Sequence, residues 1–429
     1  MQKFKRYYDA LHYLENLSNL PLKGHYMSEK NRLSFWLKRT RYFLDLAGSP
    51  DKGMKIIHVT GTAGKGSVSN LLHNILMADG KKVGSFTSPF VSSTIEKIRV
   101  NDLYIDADRF AQIIERFIPL IDHAYTHSPY GQPSFFEIFF AIALTYFKEE
   151  KCDWVVLEVG LGGRHDATNV IRNPKATVIT GIDYDHMSII GKTLNKIAYE
   201  KAGIIKSGST FFTGEHRPKL QKMFKEICVE KGVPYVQVKY GTNFEENNKR
   251  LAATITRSIG VTEDAIQKGI NGPKLPARFE VMQSEPLVVI DGAHNPIKMK
   301  STAYNLKKLN YNRLHLVIGI AEGKDYSEIL KEIIPLADSI QFTRFQGGKD
   351  RKCAHPNDLL AISQKYLKKG VKSEIFLHPK MALDKALALA NEKDGAKDLV
   401  LVTGSFFLAG ELRKHWISEE KILTNRRMK

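Results

Sequence analysis

The segment Gly61–Ser67 combines residue types that bind phosphate groups. Its sequence, GTAGKGS, follows an apolar run at 54–60 and precedes apolar residues that recur at helical spacing from Val68. In a strand–loop–helix, glycines let the backbone approach a phosphate, and N–H groups and the helix dipole attract the anion. Lys65 adds positive charge, and Ser67 can reach a magnesium ion. We therefore predict an ATP or GTP site formed by Gly61, Thr62, Ala63, Gly64, Lys65, Gly66 and Ser67.

This segment departs from the common phosphate-binding pattern, in which Ser or Thr directly follows the lysine. Here Gly66 separates Lys65 from Ser67. The alternative interpretation is a glycine-rich turn without a ligand. The strand and the amphipathic helix on either side favour a phosphate site.

Further polar residues follow other predicted strands of the first half. Glu158 ends an apolar run and precedes a glycine-rich loop at 160–164, so it is either a metal-linked carboxylate or a surface carboxylate at a strand end. Asp185 and His186 follow the next strand, which we expect to lie beside that of Glu158. A metal or phosphate role for His186 is therefore plausible.

A short helix is predicted from Thr193 to Gly203, with Gly203 as the C′ residue. From its position alone, Lys201 is only a favourable charge at the helix C-terminus. In the second half of the chain, Asp291–Pro296 and Thr403–Ser405 also follow buried strands, and Arg278 could reach a phosphate. Each is a weak signal by itself, because turns commonly contain these residue types.

The predicted elements position these residues in two α/β domains. Apolar strands alternate with amphipathic helices, one of which opens with a capping box at Ser134 and Glu137. Two prolines within 271–276 resemble a linker. We predict a P-loop-type doubly wound ATPase domain at 1–272 and a smaller Rossmann-like α/β domain at 278–429. The second domain has strand candidates at 287–290, 314–320, 339–342, 374–377 and 399–402.

Composition restricts the class of protein. The 429 residues are 43% hydrophobic and 26% charged, values typical of globular proteins. Three dispersed cysteines, no signal-peptide pattern and no long apolar run lead us to expect a cytoplasmic protein without a membrane partner. The net charge of +18 allows nucleic-acid binding, but the lysines are scattered. Such a charge also attracts small polyanions such as ATP.

Taken in order, the motifs resemble the Mur ligase superfamily, and within it the folylpolyglutamate synthase and dihydrofolate synthase family. We also expect no UDP-sugar-binding domain before Gly61, which favours this folate branch. The matching segments are 61–67, 87–90, 134–137, 158–169, 185–186, 191–193, 200–204, 276–278, 291–296, 319–325 and 403–405.

The resemblance implies a role for each matching position. Lys65, Lys201 and His186 would be catalytic, with Lys201 matching a lysine that is carbamylated in this family. The implied magnesium ligands are Ser67, Ser88, Glu158 and His186. The implied ATP contacts outside the phosphate loop are Asn248, Arg278 and Asp291. The residues implied to lie near glutamate are His294 and Ser405, and those bordering the pterin are Ser134, Phe135, Phe136, Glu137, His165, Asp166 and Ala167.

The implied reaction is ATP-dependent addition of L-glutamate to a reduced folate, with dihydropteroate as a second substrate. It would proceed through an acyl phosphate and release ADP and phosphate. Magnesium would be required, with a monovalent cation as a further candidate ion. We expect a monomer that binds these small molecules and no nucleic acid.

Three departures from the family pattern bear on these roles. Ala63 replaces an asparagine, and His165 replaces an apolar residue. The motif that carries the ATP-contacting asparagine is reduced to 245–248, which leaves Asn248 as the candidate. Two other function classes remain open: a P-loop NTPase switch without ligase chemistry, and a basic nucleic-acid-binding protein.

Overall fold

The computed structural model describes residues 3–17, 33–346, 352–392 and 397–428. These residues form two compact units. The first comprises the described residues up to Ser88, those from Ile95 to Pro273, and Arg426–Met428. The second comprises Pro89–Thr94 and the described residues from Lys274 to Asn425. The predicted ranges, 1–272 and 278–429, differ from this division at two short segments. They assign 89–94 to the first domain and 426–428 to the second, whereas the structure groups each with the other unit.

An eight-stranded sheet forms the centre of the first unit, in the order β4-β3-β2-β5-β1-β6-β7-β8. Strand β3 pairs antiparallel with β2 and β4, and the other pairings are parallel. The strands are β1 (Lys55–Thr60), β2 (Val83–Phe86), β3 (Ile98–Val100), β4 (Leu103–Tyr104), β5 (Trp154–Glu158), β6 (Ala176–Ile179), β7 (Thr210–Thr213) and β8 (Tyr235–Gln237).

Helices accompany this sheet, and the central parallel strands are buried as apolar runs. The helices are α1 (Lys5–Leu17), α2 (Leu33–Leu46), α3 (Lys65–Ala78), α4 (Ala107–His127), α5 (Phe135–Glu149), α6 (Met187–Ile190), α7 (Leu194–Ala202), α8 (Pro218–Lys231), α9 (Phe244–Ser258) and α10 (Glu263–Ile270). One core cluster joins α3, α9 and α10 to the sheet through Val68, Leu72, Leu251 and Ile266. This packing anchors the helix that follows the phosphate-binding segment.

The second unit contains a six-stranded sheet in the order β13-β12-β11-β14-β10-β9. Its strands are β9 (Glu280–Ser284), β10 (Leu287–Ile290), β11 (Leu314–Ile318), β12 (Ser339–Thr343), β13 (Lys372–Phe376) and β14 (Leu399–Thr403). Its helices are α11 (Pro296–Leu306), α12 (Tyr326–Ile333), α13 (Pro356–Ser363), α14 (Pro379–Ala390), α15 (Phe406–Arg413) and α16 (Glu419–Asn425).

The predicted α/β class is confirmed, with two sheets that are mostly parallel. The sequence did not predict the antiparallel edge strand β9, because its residues are partly exposed and form no apolar run. Segment 89–94 groups with the second unit, where the buried Arg413 contacts Ser92 and forms an ion pair with Glu280. Within the described ranges, no helix has the length and apolar character needed to span a bilayer.

Candidate active site

The phosphate-binding segment forms the turn between β1 and α3. Gly64 adopts a left-handed conformation, with φ of 85°, directly before the first residue of the helix. Because glycine has no side chain to cap the helix, the first N–H groups of α3 face the turn without a cap from this position. Uncapped N–H groups at a helix N-terminus attract anions such as phosphate.

Residues that follow β6 fix the shape of this turn. The Thr62 N–H donates to the carbonyl of Gly181 at 2.9 Å, and the Thr180 hydroxyl donates to the carbonyl of Ala63 at 2.6 Å. The Thr62 hydroxyl also exchanges hydrogen bonds with the backbone of Asp183. The turn is therefore held in a preformed shape by the loop between β6 and α6.

Two lysines meet at the beginning of the turn. Lys65 Nζ and Lys201 Nζ each donate to the carbonyl oxygen of Gly61 at 3.0 Å. Lys201 is only 4% exposed. Burial, with a further contribution from the charge of Lys65, lowers the pKa of Lys201 to about 7. Lowering the pKa favours the neutral amine, which can act as a nucleophile.

The simple interpretation of Lys201 as a surface charge at a helix end was wrong, because α7 directs this side chain into the protein. The role expected for Gly203 also changes. Its φ of −57° is right-handed, so it is not a left-handed C′ residue. A Cβ on Gly203 would lie 2.4 Å from the Cα of Arg164. Glycine is needed here because the glycine-rich loop packs directly on the end of α7.

Glu158, at the end of β5, provides a buried carboxylate. It is 2% exposed, and its Oε2 accepts a hydrogen bond from the Ser88 N–H at 3.1 Å. The structure thus brings Glu158 and Ser88 together and excludes the alternative of a surface carboxylate. Burying a carboxylate is costly unless a cation or hydrogen bonds compensate it.

His186 follows β6, as predicted, but the expectation that this strand lies beside the strand of Glu158 was wrong. Strand β1 lies between β5 and β6, so the two strands are not neighbours. His186 is exposed, has a left-handed backbone with φ of 48°, and its Nε2 lies 3.7 Å from Asp185 Oδ1. It therefore belongs to the loop that also holds Thr62.

A magnesium ion is compatible with the donors at this edge of the sheet. Mg²⁺ prefers oxygen ligands and usually keeps several waters. Ser67, in the first turn of α3, and the adjacent Ser88 and Glu158 provide hydroxyl and carboxylate oxygens. Among the described residues, no group of three or more His, Cys, Asp or Glu side chains is arranged as a metal site. Water and ATP oxygens would therefore have to supply the remaining ligands.

Glu215 and Arg217 support the loop after β6, and no sequence pattern indicated either residue. The Glu215 side chain is 1% exposed and forms a 2.7 Å ion pair with Arg217. Its Oε2 accepts from the Ile182 N–H at 2.9 Å, while Arg217 donates to the Ile182 carbonyl. This pair holds the segment that leads to Asp183 and His186.

Asn248, a predicted ATP contact, lies beside the turn. A Cβ placed on Gly64 would be 2.7 Å from the Asn248 Oδ1. Helix α9 therefore brings this amide to the phosphate-binding segment, although the surrounding motif departs from the family pattern. The preceding Asn247 is buried and points elsewhere, since its amide lies near Gly214.

We predict that Gly64→Ala weakens ATP binding and lowers the free energy of unfolding by about 1–2 kcal/mol, because a left-handed conformation is costly for alanine. Gly80→Ala is the matched control, since Gly80 has φ of 77° and no atom within 4 Å of an added Cβ. It should lose similar stability but keep its ATP affinity. Urea denaturation and calorimetric ATP titration measure both effects. The added Cβ would displace the Asn248 amide, so unchanged ATP affinity in Gly64→Ala would contradict the predicted contact between Asn248 and ATP.

The predicted pterin-border residues lie in two neighbouring segments. Ser134 and Glu137 form the expected capping box of α5. The Glu137 carboxylate is also buried against Arg39, in a 2.8 Å ion pair that the sequence did not indicate. Phe136 approaches the glycine-rich loop, where its ring would lie 2.8 Å from a Cβ on Gly160. Phe135 is half-buried, beneath the ammonium of Lys97.

The other segment is the loop after β5. Asp166 is buried, and it accepts hydrogen bonds from the Leu161 and Thr168 N–H groups at 2.9 and 3.0 Å. Burial raises the pKa of Asp166. His165 Nε2 lies 3.9 Å from Glu200 Oε2, and Ala167 is buried at the start of a short 3-10 turn. Asp166 thus fixes the loop, while His165 faces the residue before Lys201.

In the second unit, Asp291 follows β10 and is partly buried. It accepts hydrogen bonds from the N–H groups of Phe279 and Ala293, at 2.8 and 2.9 Å, and from the Thr302 hydroxyl at 2.8 Å. Burial raises its pKa, and the charge of Arg278 opposes this shift. The Arg278 guanidinium lies 4.3 Å from the centre of the Phe406 ring. Arg278 is thus close enough to Asp291 for its charge to act on this carboxylate.

His294 and Ser405 also meet around Phe406. The His294 ring centre lies 5.4 Å from that of Phe406, and its Nδ1 lies 2.8 Å from the Gly292 carbonyl. Ser405 caps α15 by accepting from the Phe407 N–H at 3.0 Å. The four predicted residues of this unit, far apart in sequence, therefore surround the ends of two adjacent strands, β10 and β14.

The chain is similar in sequence to known proteins. A family model described as "Mur ligase, glutamate ligase domain" matches residues 277–406. The dihydrofolate synthase/folylpolyglutamate synthase of Bacillus subtilis is 30% identical over 427 residues, covering 89% of this chain and 96% of that protein.

Two solved structures extend the similarity to the fold. Mycobacterium tuberculosis folylpolyglutamate synthase complexed with ADP matches with a TM-score of 0.85 and 26% identity, covering 96% of this chain and 99% of that one. Escherichia coli FolC in complex with DHPP and ADP matches with a TM-score of 0.79 and 27% identity, covering 95% and 97%. Both units and the identity over nearly the full length lead to one conclusion: the chain belongs to the folylpolyglutamate synthase/dihydrofolate synthase family of Mur ligases.

Proposed function

We propose that this protein is an ATP-dependent ligase that joins L-glutamate to a reduced folate, with dihydropteroate as a second acceptor. The observation that carries the proposal is the turn between β1 and α3, where the Lys65 ammonium donates to the carbonyl of Gly61 and the buried Lys201 Nζ lies at the same oxygen. Cations placed at such a turn favour reactions that transfer a phosphoryl group.

In the first step, a carboxylate oxygen of the pterin substrate attacks the γ-phosphorus of ATP. The bond between the β–γ bridging oxygen and this phosphorus breaks, giving an acyl phosphate and ADP. Two anions must approach each other, so charge neutralisation and positioning supply most of the catalysis. The N-terminus of α3 and the charge of Lys65 would stabilise the bound phosphates of ATP, and Asn248 lies at the same turn.

In the second step, the amine of L-glutamate attacks the acyl carbon, phosphate leaves, and an amide forms with loss of a proton. We assign His294 and Ser405 to the binding of glutamate. We assign Arg278 and Asp291 to ATP, as the resemblance implies. These two residues, His294 and Ser405 lie in one region of the second unit, at the ends of its strands. The segments 134–137 and 165–167 are assigned to the pterin.

We propose Mg²⁺ as the divalent ion, held by Ser67, Ser88 and Glu158, with His186 as a further candidate ligand. When bound, this ion would neutralise phosphate charge. The support is the oxygen donor set and the buried carboxylate of Glu158. A bound monovalent cation, a monomeric state and a cytoplasmic location are further proposals, the last supported by three cysteines that form no disulfide in the described chain.

We propose that Lys201 acts as a carbamate. Its neutral amine would attack the carbon of CO₂, form an N–C bond and release a proton, which converts a buried cation into an anion. The lowered pKa supports this reaction because only the neutral amine is nucleophilic.

The experiment that tests the function supplies the purified protein with MgATP, L-glutamate and either tetrahydrofolate or dihydropteroate. We expect a product heavier by one glutamyl residue, detected by mass spectrometry, and ADP release that requires both acceptor and glutamate. No gain in mass with any pterin would refute the folate assignment. ATP hydrolysis independent of glutamate would instead favour an NTPase switch.

A further inference from the structure

Two histidines lie one helical turn apart near the C-terminal end of α4. His123 and His127 are both exposed, and their ring centres are 4.5 Å apart with an angle of 11° between the planes. Side chains four residues apart project from the same face of a helix. The two imidazoles therefore lie side by side on one face of α4.

The hydrogen bonds of Thr126 assign the tautomer of one ring. The Thr126 hydroxyl donates its proton to the carbonyl of Asp122 at 2.9 Å. Its oxygen lies 2.6 Å from His127 Nδ1 and, with the Thr126 proton on the Asp122 carbonyl, accepts from that nitrogen. This assignment, made from the hydrogen-bond network, leaves the lone pair on Nε2 of the neutral ring. Metal-binding histidines are commonly oriented by such a bond at their other nitrogen.

The position on the helix favours a cation. His127 is the last of the 21 residues of α4, and Ser128 is the C-cap residue that follows it. The C-terminal end of a helix carries a partial negative charge that attracts positive ions. The exposed carboxylate of Asp122 is adjacent in sequence.

We propose that His123 and His127 bind a divalent transition metal ion of the Zn²⁺, Ni²⁺ and Cu²⁺ class. Imidazole nitrogen suits these ions, whereas Mg²⁺ prefers oxygen. Since the described residues contain no metal-like group of three or more His, Cys, Asp or Glu side chains, water or an external ligand must complete the coordination. This site is separate from the residues assigned to ligation, so it goes beyond the proposed function.

The test is calorimetric titration of the full chain with ZnCl₂ or NiCl₂. With excess MgCl₂ present to occupy the proposed Mg²⁺ site, we expect one further site in the unaltered protein, and at least a tenfold loss of its affinity in His123→Gln and in His127→Gln. Thr126→Val removes the orienting oxygen and should weaken binding by about tenfold. His415→Gln, which alters an exposed histidine of the second unit, is the matched control and should bind normally.

Electron paramagnetic resonance of the Cu²⁺ complex provides an independent measurement. Coupling to two imidazole nitrogens that falls to one in either histidine variant would support the chelate. Equal affinity in all variants, or coupling to a single nitrogen in the unaltered protein, would overturn it. Because both histidines are exposed, circular dichroism and ligase activity with MgATP should be unchanged in the variants.

Discussion

Replacing Lys65 with alanine is expected to lower kcat for glutamate ligation by about 10²–10³-fold, the loss typical of removing one transition-state charge contact. Lys65 begins α3, and its ammonium lies 3.0 Å from the carbonyl of Gly61. From this position the ammonium can stabilise the negative charge on the γ-phosphoryl group during its transfer. Steady-state measurement of ADP release, with saturating acceptor and glutamate, gives kcat directly.

Two variants sharpen this result. Lys65→Arg retains the positive charge and should lose less activity than Lys65→Ala. Lys55→Ala removes an exposed lysine at the start of β1, the strand before the turn, and should leave kcat within about twofold, as expected for a surface substitution. A Lys65→Ala enzyme that turns over like Lys55→Ala would show that this ammonium does not act in phosphoryl transfer.

The second large effect is expected at Lys201. Lys201→Ala should lower kcat by about 10²-fold or more, because it removes the proposed carbamate from the buried site beside the phosphate-binding turn. Lys201→Glu restores an anion and should lose less activity, although its carboxylate reaches less far. Comparison of the two rates under identical CO₂ supply is the measurement, and equal losses would argue against the carbamate.

The pH dependence of Lys201 follows from its pKa of about 7. Below this value the ammonium form prevails and cannot react with CO₂; above it the neutral amine prevails. Activation of CO₂-depleted enzyme by added bicarbonate should therefore rise as pH increases through about 7. An unperturbed lysine, with a pKa near 10.4, would instead require strongly alkaline conditions.

Lys206→Ala is the matched control for Lys201. Lys206 is also partly buried, its pKa is lowered to about 8 mainly by burial, and it donates to a backbone carbonyl, that of Asn169. It has no assigned role in ligation, so its loss should affect stability more than kcat. Equal kinetic losses in Lys206→Ala and Lys201→Ala would indicate a shared structural effect.

Much of the candidate site could be predicted from local sequence. The turn from Gly61 to Ser67, the capping box at Ser134 and the strand before Glu158 are all encoded within a few residues of one another, by apolar periodicity and by glycine. Local hydrogen bonding and burial decide such features, so they can be recognised without the rest of the chain. The family assignment, made from the same motifs, is confirmed.

The position of Lys201 could not be derived in this way. Its neighbours in sequence indicate only a helix end. Its contact with Gly61, 140 residues earlier, and the burial that lowers its pKa arise only when the chain folds. The prediction that the strand before His186 lies beside the strand of Glu158 was wrong for a related reason. Strand order is decided by crossover connections, and β1 occupies the place between the two strands.

By itself, the sequence determined that this is an α/β protein with a phosphate-binding turn and a ligase-type set of motifs. Only the tertiary structure decided which charges are buried and paired, as for Glu215 with Arg217 and Glu137 with Arg39. The physical reason is that helices, strands and turns follow from contacts close in sequence. The protonation and reach of a side chain depend instead on groups that approach it only when the sheet is assembled.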